Sequence, residues 1–124
     1  MKYAIIIVRV LLGLMFAVFG SNAFLHFMPM PEMHGLPKAF MEALVGSGYI
    51  YPIALLQVVG GLLLVLGGRF VALGLTLLGP VIVNIGLYHI FLDRSGLPMA
   101  IVVSILALFL LWVYRYKFPA IFRP

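Results

Sequence analysis

Cysteine is absent from this chain of 124 residues, and charged side chains make up only 9% of it. Without cysteine the chain itself cannot supply a disulfide, a thiolate metal site, an iron–sulfur cluster or a dithiol redox centre. Acidic side chains are scarcest, with three Asp and Glu against eight Lys and Arg. So little charge is not compatible with the surface of a water-soluble protein.

Apolar residues fill most of the sequence. Hydrophobic residues account for 65% of the chain, and the mean hydropathy is +1.25. This composition indicates a membrane protein, with the lipid bilayer as its main partner. A net charge of +5 could suggest nucleic acid in a soluble protein, but basic residues of membrane proteins are expected beside headgroups and at cytoplasmic helix ends. We therefore predict no nucleic-acid partner.

Four apolar segments are long enough to cross a hydrocarbon core of about 30 Å, which takes about 20 helical residues. They cover approximately residues 3–25, 50–67, 70–92 and 98–115. We predict an all-α integral membrane four-helix bundle that forms one domain over residues 1–124. A short amphipathic helix at the interface is predicted between the first two spans, because proline begins and glycine ends the segment 37–46.

Basic residues predict the orientation of these spans, since the side with more Lys and Arg near short loops stays cytoplasmic. One side carries Lys38 and Arg94, and the other carries Lys2, Arg9, Arg69, Arg115, Lys117 and Arg123. Both termini are therefore predicted to be cytoplasmic. The N-terminal segment also resembles a signal peptide with a cleavage site near residues 21–23, but its apolar run is long and Arg9 interrupts it. We expect it to be retained.

Polar side chains gather in the outer half of the predicted bundle. An unpaired polar group in hydrocarbon costs several kcal/mol, so these groups must bond one another, be hydrated or contact a ligand. His89 and Asp93 share a helix face, whereas Asn84 points about 140° away from His89. We infer an outward-opening pocket, and the candidate ligand-binding residues are Arg9, Asn22, His26, Gln57, Asn84, Tyr88, His89 and Asp93.

Two of these candidates have a simpler interpretation. Arg9 lies in the inner half, where it is interpreted either as a snorkelling anchor or helix-pairing group, or as an ion-pair or ligand contact. Gln57 is interpreted as an interhelical hydrogen-bond donor or as a ligand contact. The sequence identifies no catalytic residue.

A metal site is an alternative interpretation of the loop after the first span. Thioethers and imidazoles suit Cu(I), and the candidate ligands are His26, Met28, Met30, Met33 and His34. Methionine is also a pliable apolar filler, which favours a packing role for the same residues. A haem or zinc site between His26 and His89 is a weaker hypothesis, because only Asp93 is spaced to support such a ligand.

Three motifs resemble the DoxX and DoxX-like family of small bacterial four-helix membrane proteins. They are Arg9 with Gly13 and Gly20, the run Gln57–Arg69, and the run Pro80–Asp93. The resemblance implies a bacterial inner-membrane protein, in a family whose named member is a small subunit of a thiosulfate:quinone oxidoreductase. Members often carry an acidic residue where this chain has Gln57, so the resemblance does not extend to a proton-transfer role.

The function favoured by these observations is an accessory subunit or a small module that binds a lipophile such as a quinone, linked to membrane redox chemistry. Its site would centre on Arg9, Gln57, Asn84 and His89. One alternative is a catalytic quinone-linked oxidoreductase subunit, which would need a partner to supply electrons because this chain lacks cysteine and an evident cofactor site. Others are a structural assembly protein or a copper-binding protein. A protein partner or a homo-oligomer is expected.

Overall fold

The computed structural model describes residues 1–26 and 32–122. Within these ranges the chain has five α-helices, two 3-10 helices and no strand, so the all-helical prediction is confirmed. The α-helices are α1 (Lys2–Leu25), α2 (Gly35–Gly46), α3 (Ile50–Leu66), α4 (Phe70–Phe91) and α5 (Leu97–Val113), and the 3-10 helices are Arg94–Gly96 and Arg115–Phe122. The four long helices begin and end within two residues of the predicted segments.

Local sequence explains where the helices end. α3 stops at Gly67, which has φ +78°, and Gly68 follows with φ +58°, so two residues without side chains turn the chain into α4. After α4, the Asp93 carboxylate accepts a hydrogen bond from the Ser95 backbone N–H and caps the short 3-10 helix. Pro98 then occupies the first turn of α5, where its missing N–H costs nothing.

The long helices contact one another in a ring. α1 packs mainly on α3, α3 on α4 and α4 on α5, and α5 returns to contact α1. At one end, here called the Gly67 end, α1 begins beside the end of α3, and Arg9 contacts Gly67. At the opposite end, here called the Asp93 end, Phe24 of α1 meets Tyr51 of α3 with ring centroids 5.5 Å apart. α2 also lies there.

Glycines let neighbouring helices approach closely, as the small-residue stripe Gly13, Ala17 and Gly20 predicts. A Cβ atom at Gly61 of α3 would strike the backbone of α1 at Gly13 and Ala17. The core that these contacts surround is apolar throughout, and no polar side chain is fully buried among the described residues. Its buried members are Leu12, Phe16, Leu64, Val71, Leu75, Leu78, Val81, Val103 and Leu110.

Helix length and composition are compatible with membrane crossing. α1, α4 and the segment Arg94–Val113 are each long and apolar enough to span a membrane, and α2 with α3 would add a fourth span if that pair, bent by 86°, is counted as one. α3 alone has 17 residues and is about 26 Å long. Large apolar side chains are also exposed along the outside, including Leu11, Phe19, Leu62, Val83, Ile105 and Leu108.

Candidate functional site

A cavity of about 580 Å³ lies at the Asp93 end, with walls formed by α2, α3 and α4. Most of its wall is apolar or aromatic. α2 and the segment before it supply Met33, Phe40, Met41 and Leu44. α3 and the residue before it supply Tyr49, Ile50, Ile53, Leu56 and Gln57, and α4 supplies Pro80, Val81, Asn84, Ile85, Tyr88 and His89. A cavity of this size with few polar groups is typical of small-molecule sites.

Four of the predicted site residues line this cavity together: Gln57, Asn84, Tyr88 and His89. Asn84 and His89 do so although their directions on α4 differ by about 140°. The cavity contacts both, because it extends along α4 from Pro80 to His89. The four residues come from two antiparallel neighbours that are joined by a two-glycine turn. Counted along these helices, Gln57 and Asn84 lie deeper below the Asp93 end than Tyr88 and His89.

Polar atoms in the cavity have unused hydrogen-bonding capacity. The Tyr88 hydroxyl is buried and has no partner among the described residues. The Gln57 amide likewise makes no hydrogen bond to any residue that the structure describes, and it is half-buried. The Asn84 amide nitrogen donates to the Pro80 carbonyl at 2.8 Å, and no described residue donates to its amide oxygen. A buried hydroxyl left without a partner is costly, so a ligand or water that bonds Tyr88 would be held there, and the half-buried Gln57 amide can bond the same molecule.

One ring nitrogen of His89 forms a hydrogen bond to the backbone, and the other takes no part in that bond. Its Nδ1 lies 3.0 Å from the backbone carbonyl oxygen of Asp93. A carbonyl only accepts, so Nδ1 carries the proton in this hydrogen bond, and Nε2 of the neutral ring is an acceptor. The ring fits closely against Gly96, because a Cβ there would overlap its Cε1 atom. Gly96 therefore positions the ring, a role that the sequence pattern did not reveal.

Gly96→Ala is expected to rotate the His89 ring away and to break its hydrogen bond to the Asp93 carbonyl. The backbone of Gly96 has φ −92°, which alanine adopts without strain, so the effect should come from the ring contact alone. Nitrogen-15 NMR of the His89 imidazole should show loss of the protected Nδ1–H signal. Gly86→Ala is the control, since an added Cβ there meets nothing within 4 Å. An unchanged His89 signal in Gly96→Ala would contradict this packing.

The other predicted site residues lie elsewhere. Arg9 is at the Gly67 end, away from the cavity. Asn22 and His26 are at the end of α1, where the Asn22 carbonyl accepts the His26 backbone N–H at 2.8 Å, and neither residue lines the cavity. The Asp93 carboxylate accepts hydrogen bonds from the Ser95 hydroxyl and backbone N–H, and these bonds, helped by nearby His89, lower the pKa of Asp93. Asp93 therefore supports the turn beside the site.

The copper hypothesis stays a prediction. Met28 and Met30 lie outside the described residues. Of the remaining candidate ligands, Met33 lines the cavity, and His34 Nε2 lies 3.7 Å from a carboxylate oxygen of Glu32 on the exposed surface. Within the described ranges, no three His, Asp or Glu side chains are grouped as a metal site.

Sequence analysis missed the part of the cavity wall that α2 forms. Phe40 packs against Tyr88 with ring centroids 5.5 Å apart, and Met41 and Leu44 line the same side. The signal was present, because Leu44 lies four positions after Phe40 and three after Met41, so these apolar side chains form one stripe on the helix. The sequence places this helix flat on the outer leaflet, where it could also cap the bundle, but it does not identify these side chains as part of a binding site.

Comparisons of the chain with models of known families, with curated proteins and with solved structures found no match. The resemblance to DoxX-like proteins therefore stays a prediction from the motifs of α1, α3 and α4.

Proposed function

We propose that this chain is a four-helix membrane bundle whose cavity binds a small lipophilic molecule with hydrogen-bonding oxygens, a quinone being the ligand class that fits best. It would act as a DoxX-like accessory subunit or binding module of the bacterial inner membrane. The observation that carries the proposal is that the Tyr88 hydroxyl and the Gln57 amide have no hydrogen-bond partner among the described residues and lie in a mostly apolar wall.

The exposed surface supports membrane insertion. Apolar side chains face outward along all four long helices, and a membrane would cover them at no desolvation cost. Charged residues instead concentrate at the two ends. In the proposed orientation the Gly67 end, with Arg9, Arg69 and Arg115, is cytoplasmic and the Asp93 end faces the periplasm.

The groups in the cavity favour a ligand with acceptor oxygens. The Tyr88 hydroxyl and the Gln57 amide can both donate, and a quinone ring offers two carbonyl acceptors on a flat apolar body. The surrounding aliphatic and aromatic side chains would pack on that body. The cavity therefore suits such a ligand in the types of residue that line it. Its volume also lies within the range of about 300–1,000 Å³ that is usual for small-molecule cavities.

An accessory role is favoured over catalysis because amide, phenol and imidazole side chains of this kind bind a quinone without passing electrons to it. A chain without cysteine has no thiol couple of its own. Electrons would come from a partner protein. Reduction of a quinone by the purified chain alone would contradict the accessory role and favour the catalytic alternative.

Binding of decylubiquinone to the purified chain in phosphatidylcholine nanodiscs tests the cavity. Gln57→Leu and Tyr88→Phe are each expected to weaken binding about tenfold, because each removes one hydrogen bond worth about 1–1.5 kcal/mol. Affinity can be measured by titration with detection of bound quinone by native mass spectrometry.

Thr76→Val is the matched control, since the Thr76 hydroxyl bonds the Ala72 carbonyl of its own helix at 2.8 Å and lies outside the cavity. Its affinity should equal that of the unaltered chain. Equal affinities for all four proteins, or no saturable binding by any of them, would rule out this site for quinones.

A further inference from the structure

The guanidinium of Arg9 occupies a space that exists because residue 67 is glycine. Its Nη1 atom lies where a Cβ of residue 67 would stand. Gly67 is buried and ends α3 with φ +78°, in a region that other residues rarely adopt. The side chain of Arg9 is thus held at the Gly67 end rather than extended freely into the surroundings.

Arg9 has no compensating group in the part of the chain that the structure describes. Its Nε atom is buried without a hydrogen-bond partner, and it forms no ion pair. The three acidic side chains of the chain are Glu32, Glu42 and Asp93, and all of them belong to segments at the Asp93 end. The negative pole of α3 favours a cation here, but it does not satisfy the N–H groups.

Arg115, a cation at the same end, has both aromatic rings and hydrogen-bond acceptors around its guanidinium. Its guanidinium lies 3.8 Å from the Trp112 ring centroid and 4.3 Å from that of Tyr116, and it donates to the Trp112 carbonyl and the Tyr116 hydroxyl. Arg9 has none of these contacts. Arg69, in the turn that Arg9 touches, adds a second positive charge and lies over Phe70 at 5.2 Å.

We propose that Arg9, with Arg69 in the turn that it contacts, binds a phosphate oxyanion at the Gly67 end. A guanidinium offers two parallel N–H groups that match two phosphate oxygens, and a partly buried, uncompensated one gains most from such a partner. The phosphate can belong to a phospholipid headgroup or be free in solution, and both supply the same chemistry. This site is separate from the cavity and does not depend on what the cavity binds.

Native mass spectrometry of the full, delipidated chain tests the site. Phosphatidylglycerol is titrated into the unaltered protein, Arg9→Gln and Arg94→Gln. Arg9→Gln is expected to bind this lipid about tenfold more weakly, the size of one lost charge-assisted hydrogen bond. Arg94→Gln makes the same charge change on an exposed residue at the Asp93 end and should bind as the unaltered protein does.

A parallel titration with inorganic phosphate identifies the source of the anion. If phosphatidylglycerol binding depends on Arg9 and millimolar phosphate does not displace the lipid, the site is assigned to lipid. If phosphate displaces the lipid, the site is assigned to free phosphate. Either result supports the site. Arg9→Lys keeps the charge but loses the paired N–H groups, so we expect binding several-fold weaker than that of the unaltered protein. If circular dichroism shows that Arg9→Gln does not fold, Arg9→Lys alone provides the test.

The proposal would be overturned if the folded Arg9 variants bound both anions as tightly as the unaltered protein does.

Discussion

Gly61→Ala is expected to push α1 away from α3 and to lower the free energy of unfolding by about 1–3 kcal/mol, the usual cost of overpacking. The added Cβ would lie 2.7 Å from the backbone nitrogen of Ala17, and closer still to the carbonyl oxygen of Gly13. Both atoms belong to the backbone of α1, so no side-chain rotation relieves the contact and the whole helix must move. Unfolding in mixed detergent micelles, followed by circular dichroism, would measure the loss.

Gly86→Ala makes the identical chemical change in the interior of α4, where the new Cβ meets no atom within 4 Å. We expect this control to be neutral or slightly stabilising, since alanine favours a helix over glycine by up to about 1 kcal/mol. The difference between the two variants reports the close contact of α1 and α3. If Gly61→Ala were as stable as Gly86→Ala, the helices would not be packed through this glycine.

Gly67→Ala is also expected to destabilise the protein. The residue has φ +78° and ψ −165°, a conformation that is essentially restricted to glycine and costs other residues about 1–3 kcal/mol. The new Cβ would also displace the guanidinium of Arg9. Both effects act at the turn between α3 and α4, so the free energy of unfolding should fall, and the same micelle assay can measure the change.

A double-mutant cycle separates the two causes. Arg9→Ala removes the guanidinium, so Gly67→Ala should cost less in that background than in the unaltered chain, and the coupling reports the contact between residues 9 and 67. Gly68→Ala is the companion control, because it also has positive φ but its Cβ would meet nothing within 4 Å, so it should not couple to Arg9. A coupling of zero between Gly67→Ala and Arg9→Ala would contradict the contact between residues 9 and 67.

The helix boundaries could be predicted because the signals that set them are local. Apolar runs of sufficient length, the glycine pair at 67 and 68, and the turn at Asp93 lie within a few residues of the ends they determine. α2 was predicted from Pro37, yet it begins two residues earlier at Gly35. Glycine there, with φ +68°, turns the chain into the helix before the proline.

The cavity could be predicted only in part. The sequence places Gln57 and Asn84 in the outer half of the bundle, and depth follows from counting residues along the helices. Which side chains share a wall depends on how helices are rotated about their axes and on which faces meet, and no residue count supplies either. Hence Asn22 and His26 were grouped with the cavity although α1 does not border it, and Phe40 was not.

α2 is the least anchored wall of the cavity. It contributes no fully buried residue, and it is bounded by Gly35 and Gly48, both with positive φ. Such a segment opens at lower cost than a helix that is built into the core. The rate at which α2 moves away from the rest of the cavity wall would then set how long a bound molecule stays. Loosening this helix would accelerate association and dissociation together and leave the equilibrium constant nearly unchanged.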